Sequence, residues 1–453
     1  MCLLFLCGCG SATRVAKAPV APTASSARAT TESAKAATPA SARVVIVSID
    51  GLRPDDCLRA ETLRTLAAQG AFAAPPEGAL GVTPTVTYPS HTSMLTGVHP
   101  DRHGITTNHA PDPTFEGKND GGWRWYAEDV RVDSVAGLAF DAGLRTAAIG
   151  WPVSVGMRAT LLLPEVWRAG TPDDVKLVRA LSSPGFLDEI ARRHPTFYTG
   201  YTPPAVKDDA LISAALTALK LVSPDLLLVH LIALDKAQHD YGPSAPEAMA
   251  ALEESDRQLA RLLSALQADE AWSRTVLFVV SDHGFAPLSK HIQPRVALAR
   301  EGLSSRVWVQ TNGGFAYFYL TDTDDAEAEQ LARSAFEALA RNPNEGLGVL
   351  LDRARIAELR GDPDAFLAIE AAPGFAFSRH LSEATIVPAT SRGVHGYLPE
   401  RPEMRGTLLV VGPSIAPSTL TGARLVDIAP TVAALLGLRL GEVDGRVLPP
   451  LLR

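Results

Sequence analysis

Three acidic residues in this 453-residue chain stand where apolar runs end. Asp50 follows V-V-I-V-S-I, Asp235 closes L-L-L-V-H-L-I-A-L, and Asp282 comes after V-L-F-V-V-S with His283 beside it. His239 lies four residues past Asp235, on the same face if that segment is helical, and His395 stands in a polar G-V-H-G. Carboxylates and imidazoles with no thiolate nearby are a donor set for Zn²⁺ rather than for Cu(I) or an iron–sulfur cluster. Two such clusters suit a two-metal site for phosphoryl chemistry. Each residue alone has a plainer use. An Asp after a strand commonly caps a helix, and Asp282-His283-Gly284 reads equally well as a turn. His91, His99, His103, His109, His194, His230, His291 and His380 read individually as structural or surface groups.

The elements that must position these residues follow a repeated pattern. Residues 44–49 form a continuous β-branched run, as expected of a strand buried on both faces of a parallel sheet. A helix is predicted from Pro54 to Gln69, where Gly70 stops it. Apolar runs at 144–150, 225–234, 275–280 and 406–411 extend the series. Helices are expected at 246–267 and 426–436. Strands alternating with helices predict an α/β fold with a doubly wound, mainly parallel sheet, and ligands in such sheets bind beyond the strands' carboxyl ends. Residues 285–390 hold a strand-like stretch (306–320), a helix (326–340) and a mixed segment. They read as a smaller inserted subdomain within a domain spanning 43–453.

Composition narrows the classes further. Hydrophobic residues make up 46% and charged residues 20% of the chain, which excludes a wholly disordered protein. The formal net charge of −8 and the lack of basic runs argue against nucleic-acid binding through a basic face. Of four cysteines, Cys2, Cys7 and Cys9 crowd the first residues and only Cys57 lies in the body, so the body has no internal disulfide. The opening M-C-L-L-F-L-C-G-C-G looks like the end of a lipoprotein signal truncated to residues 1–9, with Cys9 lipidated, although the positive start and full apolar core are missing. Residues 10–42 are rich in Ala, Ser and Thr and lack Leu, Ile, Phe, Tyr and Trp, so they are expected to form a disordered tether. The expected location is the bacterial cell envelope, either periplasmic or anchored to a membrane through Cys9. Gly10, rather than Asp, after that cysteine favours the outer membrane.

Five motifs in order resemble the nucleotide pyrophosphatase/phosphodiesterase family of the alkaline phosphatase superfamily. They are S-I-D-G-L-R-P, T-P-T-V-T-Y-P-S-H-T-S-M-L-T-G-V-H-P-D-R-H-G-I-T-T-N, D-K-A-Q-H-D-Y-G-P, S-D-H-G and G-V-H-G-Y. The likeness spans residues 43–440 and takes in Trp151-Pro152 and the tail at 427–438. It implies an alkaline-phosphatase-like fold and two Zn²⁺ ions, one held by Asp50, Thr87, Asp282 and His283, the other by Asp235, His239 and His395. It makes Thr87 the nucleophile, passing through a covalent phospho-threonine, and Asn108 the residue that stabilises the non-bridging phosphoryl oxygen. A threonine hydroxyl is a weak nucleophile, and coordination to zinc lowers its pKa. Alone, Thr87 reads as a capping hydroxyl for a helix starting near Pro89.

Two positions depart from the family pattern: Tyr88 stands for its usual phenylalanine and Ser90 for its asparagine. Both bear on the substrate pocket. The expected substrate is a small nucleotide or related diester, with a phosphomonoesterase of the same superfamily as the alternative and a non-catalytic nucleotide-binding lipoprotein as the non-enzyme alternative. A monoester adds a negative charge that calls for an extra cation. Arg102 and Lys236 are the nearest in sequence, each more simply a solvated side chain. Trp123, Trp125 and Tyr126 could stack on a base or pack the core.

Overall fold

The computed structural model describes residues 42–110, 122–166, 171–202 and 205–448. The expected lipidation site at Cys9 and nearly all of the tether lie outside them. An eight-stranded sheet forms the centre, in the order Ser418–Thr419, Ala71–Phe72, Leu408–Val411, Thr275–Val280, Arg43–Ile49, Leu226–Leu231, Thr146–Ile149, Leu161–Leu163. The last five of these run parallel. The α/β, mainly parallel reading holds. The Leu408–Val411 strand pairs antiparallel with Thr275–Val280, so it does not continue the parallel series expected for it.

Alternation along Arg43–Ile49 explains why this strand is central. Val45, Val47 and Ile49 pack into one core layer, and Val44 and Ile46 into the layer on the opposite face. A strand buried on both sides needs apolar residues at both parities, and each such side chain contributes ~1.5–3 kcal/mol on burial. Helices Asp208–Val222 and Pro246–Gln267 cover the first face, and Ile428–Leu436 and Val135–Asp141 the second.

The helix predicted over 54–69 is broken into Pro54–Cys57 and Glu61–Gln69. The cause lies 193 residues beyond Leu63 in sequence. Asp256 accepts hydrogen bonds from the backbone N–H groups of Thr62 (3.0 Å) and Leu63 (2.8 Å), capping the second segment from outside. The 306–320 stretch is a hairpin of Val307–Asn312 and Phe315–Leu320 turning at Gly313, whose φ of 62° suits glycine. It belongs to a separate four-stranded sheet with Leu347–Asp352 and Leu367–Ala371. Among the described residues, no helix is long and apolar enough to cross a membrane.

Candidate active site

Asp50, Asp235, His239, Asp282 and His283 all follow the carboxyl ends of central strands, whereas Thr87 opens the helix Thr87–Thr96 and His395 follows a short segment paired to Ala286–Ile292, outside the central sheet. Asp50 follows Ile49, and its N–H donates to Leu231 O across the parallel pair at 2.9 Å. The chain after Leu231 turns helical over Ala233–Tyr241, which puts Asp235 and His239 one turn apart. Asp282 and His283 follow Thr275–Val280. His395 arrives through a long-range pairing: Gly393 and Val394 pair antiparallel with Pro287 and Ala286. That register lays the His395 ring on the His283 ring, centroids 3.7 Å apart and nearly parallel.

Two groups result. Asp50, Asp282 and His283 each present one donor atom within 4.8 Å of the others, and so do Asp235, His239 and His395. His283 Nε2 is 3.3 Å from Asp50 Oδ1 and 3.2 Å from Asp282 Oδ2. His239 Nε2 and His395 Nε2 are 3.5 and 3.8 Å from Asp235 Oδ1. Ligand atoms around a tetrahedral zinc with ~2.0–2.1 Å bonds lie about 3.3 Å apart. The spacing fits.

The protonation pattern fits as well. The three histidines direct Nδ1 at backbone carbonyls: His283 at Gly284 O (3.0 Å), His239 at Gly393 O (3.1 Å) and His395 at Thr85 O (3.0 Å). A carbonyl only accepts, so Nδ1 carries the proton and Nε2 offers its lone pair. Burial drives His283 down to about 3 and His395 well below the usual histidine range, keeping both neutral. Asp282 Oδ1 accepts from Gly51 N–H at 3.3 Å. Asp50 Oδ1, Asp235 Oδ1, Asp282 Oδ2 and His283 Nε2 are all buried without a hydrogen-bond partner among the described residues. Asp50 Oδ1 and Asp282 Oδ2 both face His283 Nε2, and Asp235 Oδ1 faces the Nε2 atoms of His239 and His395. Two carboxylate charges 4.8 Å apart repel by roughly 3–4 kcal/mol at an effective dielectric of 20. Burial, then the charges of Asp282 and Asp235, push the Asp50 carboxyl well above the usual range, and burial pushes Asp235 up to about 6. A set of buried, orphaned donors crowded this way calls for a cation.

A cavity of about 760 Å³ opens over these groups, and Asp50, Thr87, Asn108, Asp235, His239 and His395 all line it. Thr87 is the first residue of the helix Thr87–Thr96; Val86 is the cap residue and no side chain caps the turn. The helix therefore starts two residues before Pro89, and Thr87 is not the cap. Tyr88 and Trp123 form an aromatic wall, centroids 5.4 Å apart, on the same cavity. Trp125 is buried, whereas Tyr126 is 46% exposed and away from the cavity. Lys236 lines the cavity, paired with Asp240 at 2.7 Å. Arg102 pairs instead with Asp444 at 2.9 Å, outside it.

Two histidines read as structural touch the site. His91 holds Ser48 Oγ and Thr87 O at 2.8 Å each. His230 reaches Asp50 Oδ2 at 3.2 Å. The signal was present for His230: a polar side chain inside L-L-L-V-H-L must find a buried partner. Lys207 also lines the cavity, and no pattern in its own segment marked it.

Residues 44–398 match the model of the type I phosphodiesterase / nucleotide pyrophosphatase family. The chain belongs to this family. Among curated relatives, an uncharacterised pyrophosphatase/phosphodiesterase of Schizosaccharomyces pombe is 25% identical over 257 residues, covering 54% of this chain and 45% of that protein. A bis(5'-adenosyl)-triphosphatase of Bos taurus is 25% identical over 257 residues, 55% of this chain and 48% of its own. Human ectonucleotide pyrophosphatase/phosphodiesterase family member 1 is 25% identical over 213 residues, with 19% of its length covered. The match thus spans about half or less of the curated relatives. Murine ectonucleotide pyrophosphatase/phosphodiesterase 5 shares the fold, with a TM-score of 0.63 at 20% identity, covering 89% of this chain and 97% of that one. An inactive form of that protein in complex with AMP aligns with the same score.

Proposed function

We propose that the protein hydrolyses phosphodiester or pyrophosphate bonds in nucleotides or related diesters, using Thr87 as nucleophile and two zinc ions. The observation that carries this is the cavity on which Thr87, Asn108 and members of both donor groups open together. Asp50, Asp282 and His283, with Thr87, would hold one zinc, and Asp235, His239 and His395 the other. Bound there, zinc supplies Lewis acidity, lowering the pKa of a coordinated hydroxyl and offsetting phosphoryl charge.

The chain's own residues do the rest. Thr87 begins a ten-residue helix, whose N-terminal field favours negative charge at its oxygen. Thr87 Oγ1, its proton lost to solvent, forms a bond to phosphorus as the bond from phosphorus to the leaving oxygen breaks, and that oxygen departs in line with its electron pair. Water then attacks the phosphothreonine ester, restoring the hydroxyl and releasing the phosphoryl product. Asn108 donates to a non-bridging oxygen as charge builds there. The Tyr88–Trp123 wall supports an organic group with a flat face, and the similarity to a bis(5'-adenosyl)-triphosphatase and to a protein that forms a complex with AMP supports nucleotides.

Acid-quenching during turnover of an aryl nucleotide diester, followed by peptide mapping, tests this. A substrate-phosphoryl adduct on Thr87, and its loss with all turnover in Thr87→Ala, is expected. Full turnover by Thr87→Ala would overturn it. We also infer that the chain is anchored to a cell-envelope membrane through Cys9, supported by the L-C-G-C sequence and the composition of residues 10–42.

A further inference from the structure

His230 is the penultimate residue of the buried strand Leu226–Leu231, next to its carboxyl end, and none of its ring reaches solvent. Its Nε2 is 3.2 Å from Asp50 Oδ2 and its Nδ1 is 2.9 Å from Glu165 Oε2. Glu165 is itself buried, just past the strand Leu161–Leu163 and two strands away in the sheet. It reaches His230 past the end of Thr146–Ile149, where Gly150 contributes its carbonyl at 3.2 Å from the same Nδ1. The His91 ring closes the other side edge-on, 4.4 Å from His230, and Trp151 backs His91 at 4.9 Å. The Trp151 indole thus serves as packing for this chain of groups.

The consequence falls on Asp50. One of its oxygens is committed to His230, which blocks rotation of the carboxylate, and the other faces His283 Nε2 at 3.3 Å without a hydrogen bond. Partners behind a ligand set its orientation and basicity. A buried imidazole between two buried carboxylates is costly to assemble for packing alone.

We infer that Glu165 and His230 are positioning residues that present Asp50 Oδ1 as a single ligand oxygen, setting the metal affinity of the Asp50–Asp282–His283 group alone. The inference rests on the zinc reading above. His230 acts directly on Asp50, and Glu165 acts through His230 by holding its ring in plane. The hydrogen bonds of the His230 ring run to Asp50, Glu165 and Gly150, whereas His239 and His395 are held by the carbonyls of Gly393 and Thr85.

The test compares full-length wild type, His230→Gln and Glu165→Gln, each loaded with zinc and titrated with a chromophoric zinc chelator. Wild type is expected to hold two zinc ions per chain. His230→Gln is expected to hold one as tightly as wild type and the other about 10- to 100-fold more weakly, with a smaller loss at the same site in Glu165→Gln. Saturating zinc should restore kcat toward wild type while KM stays near its wild-type value. Glu165→Gln is close in size and carries the test if His230→Gln does not fold. Two ions at wild-type affinity in the variants would overturn the inference and leave the zinc reading standing. Equal weakening of both sites, with a lower melting temperature for the metal-free variant that zinc does not repair, would reduce the residues to a structural role and overturn it too. A wild type that binds no zinc would overturn the zinc reading and the inference together.

Discussion

The backbone N–H of Tyr88 donates to Asn108 Oδ1 at 2.9 Å, which ties the residue after Thr87 to the asparagine that lines the same cavity. An N–H needs an acceptor, so the amide oxygen is the end pinned to the helix start and Nδ2 is the end left to donate. Asn108→Asp keeps the acceptor and removes the donor. Both kcat and kcat/KM should fall together by about 10²–10³, with zinc content unchanged. A loss of less than threefold in steady-state assays would remove Asn108 from the chemistry.

Asp282→Ala should separate the two metal groups. Asp282 follows a central strand and accepts from Gly51 N–H with Oδ1, while Oδ2 is buried without a hydrogen-bond partner among the described residues. The variant should fold, by circular dichroism, and carry one zinc instead of two by elemental analysis. Turnover should drop about 10³-fold or more, matching the several kcal/mol a metal supplies. A fully active protein carrying only Mg²⁺ or Ca²⁺ would contradict the assignment.

How much of this was legible beforehand depended on where the cause of each feature lay. The strands at 44–49 and 275–280 and the helix at 246–267 are set by local apolar pattern, and they appear within a residue of expectation. The break after Cys57 depends on Asp256 arriving from another helix, which no local pattern encodes. The antiparallel direction of Leu408–Val411 is likewise a tertiary matter. At the site, the ligand types and strand-end positions could be read along the chain. The stacking of His395 on His283 required the pairing of Val394 with Ala286, about a hundred residues apart. Glu165 could not be found at all from its own segment, because its partner lies two strands away.

Stability should fall as the pH drops below neutrality, partly through His103. This buried ring accepts from Ile105 N–H at Nδ1 (3.1 Å) and meets Ser93 Oγ at Nε2 (2.9 Å). Burial, helped by the nearby His99, holds it down at about 3. Below the ordinary value of about 6.5 the unfolded chain takes up a proton that the native chain refuses until about pH 3, so protonation favours unfolding across that window. His103→Asn keeps an acceptor for Ile105. Its unfolding free energy, from urea titrations between pH 6.5 and 4.5, should lose up to ~1.4 kcal/mol per pH unit less than wild type does. Parallel slopes would show that His103 does not contribute.

Anchoring through Cys9 predicts that the wild-type protein, expressed with its native leader, partitions with membranes. Multiple acyl chains hold stably where a single chain would not. Cutting within residues 10–42 should release an active soluble body, and Cys9→Ala should never be retained. An unmodified Cys9 peptide by mass spectrometry, from a protein wholly in the soluble fraction, would end the proposal.

Substrate class follows from charge and shape in the cavity. A monoester brings one more negative charge than a diester, and among the described residues the cavity's two lysines, Lys207 and Lys236, share it with Asp209, Asp240 and Glu254. Lys236 is already matched to Asp240, so the balance of side chains disfavours the extra charge. The Tyr88–Trp123 wall meanwhile offers a stacking surface, and stacking a base on an aromatic ring contributes about 1–3 kcal/mol. An aryl nucleotide diester should therefore exceed an aryl monoester by more than about tenfold in kcat/KM, roughly 1.4 kcal/mol of transition-state discrimination. It should also exceed an aryl choline phosphate, which has no flat base. Trp123→Ala should raise KM for the nucleotide diester by about 5- to 150-fold and leave the choline ester nearly unchanged. A monoester preference beyond tenfold would make the protein a phosphomonoesterase built on the same site, and equal losses for both diesters in Trp123→Ala would make the wall a packing feature.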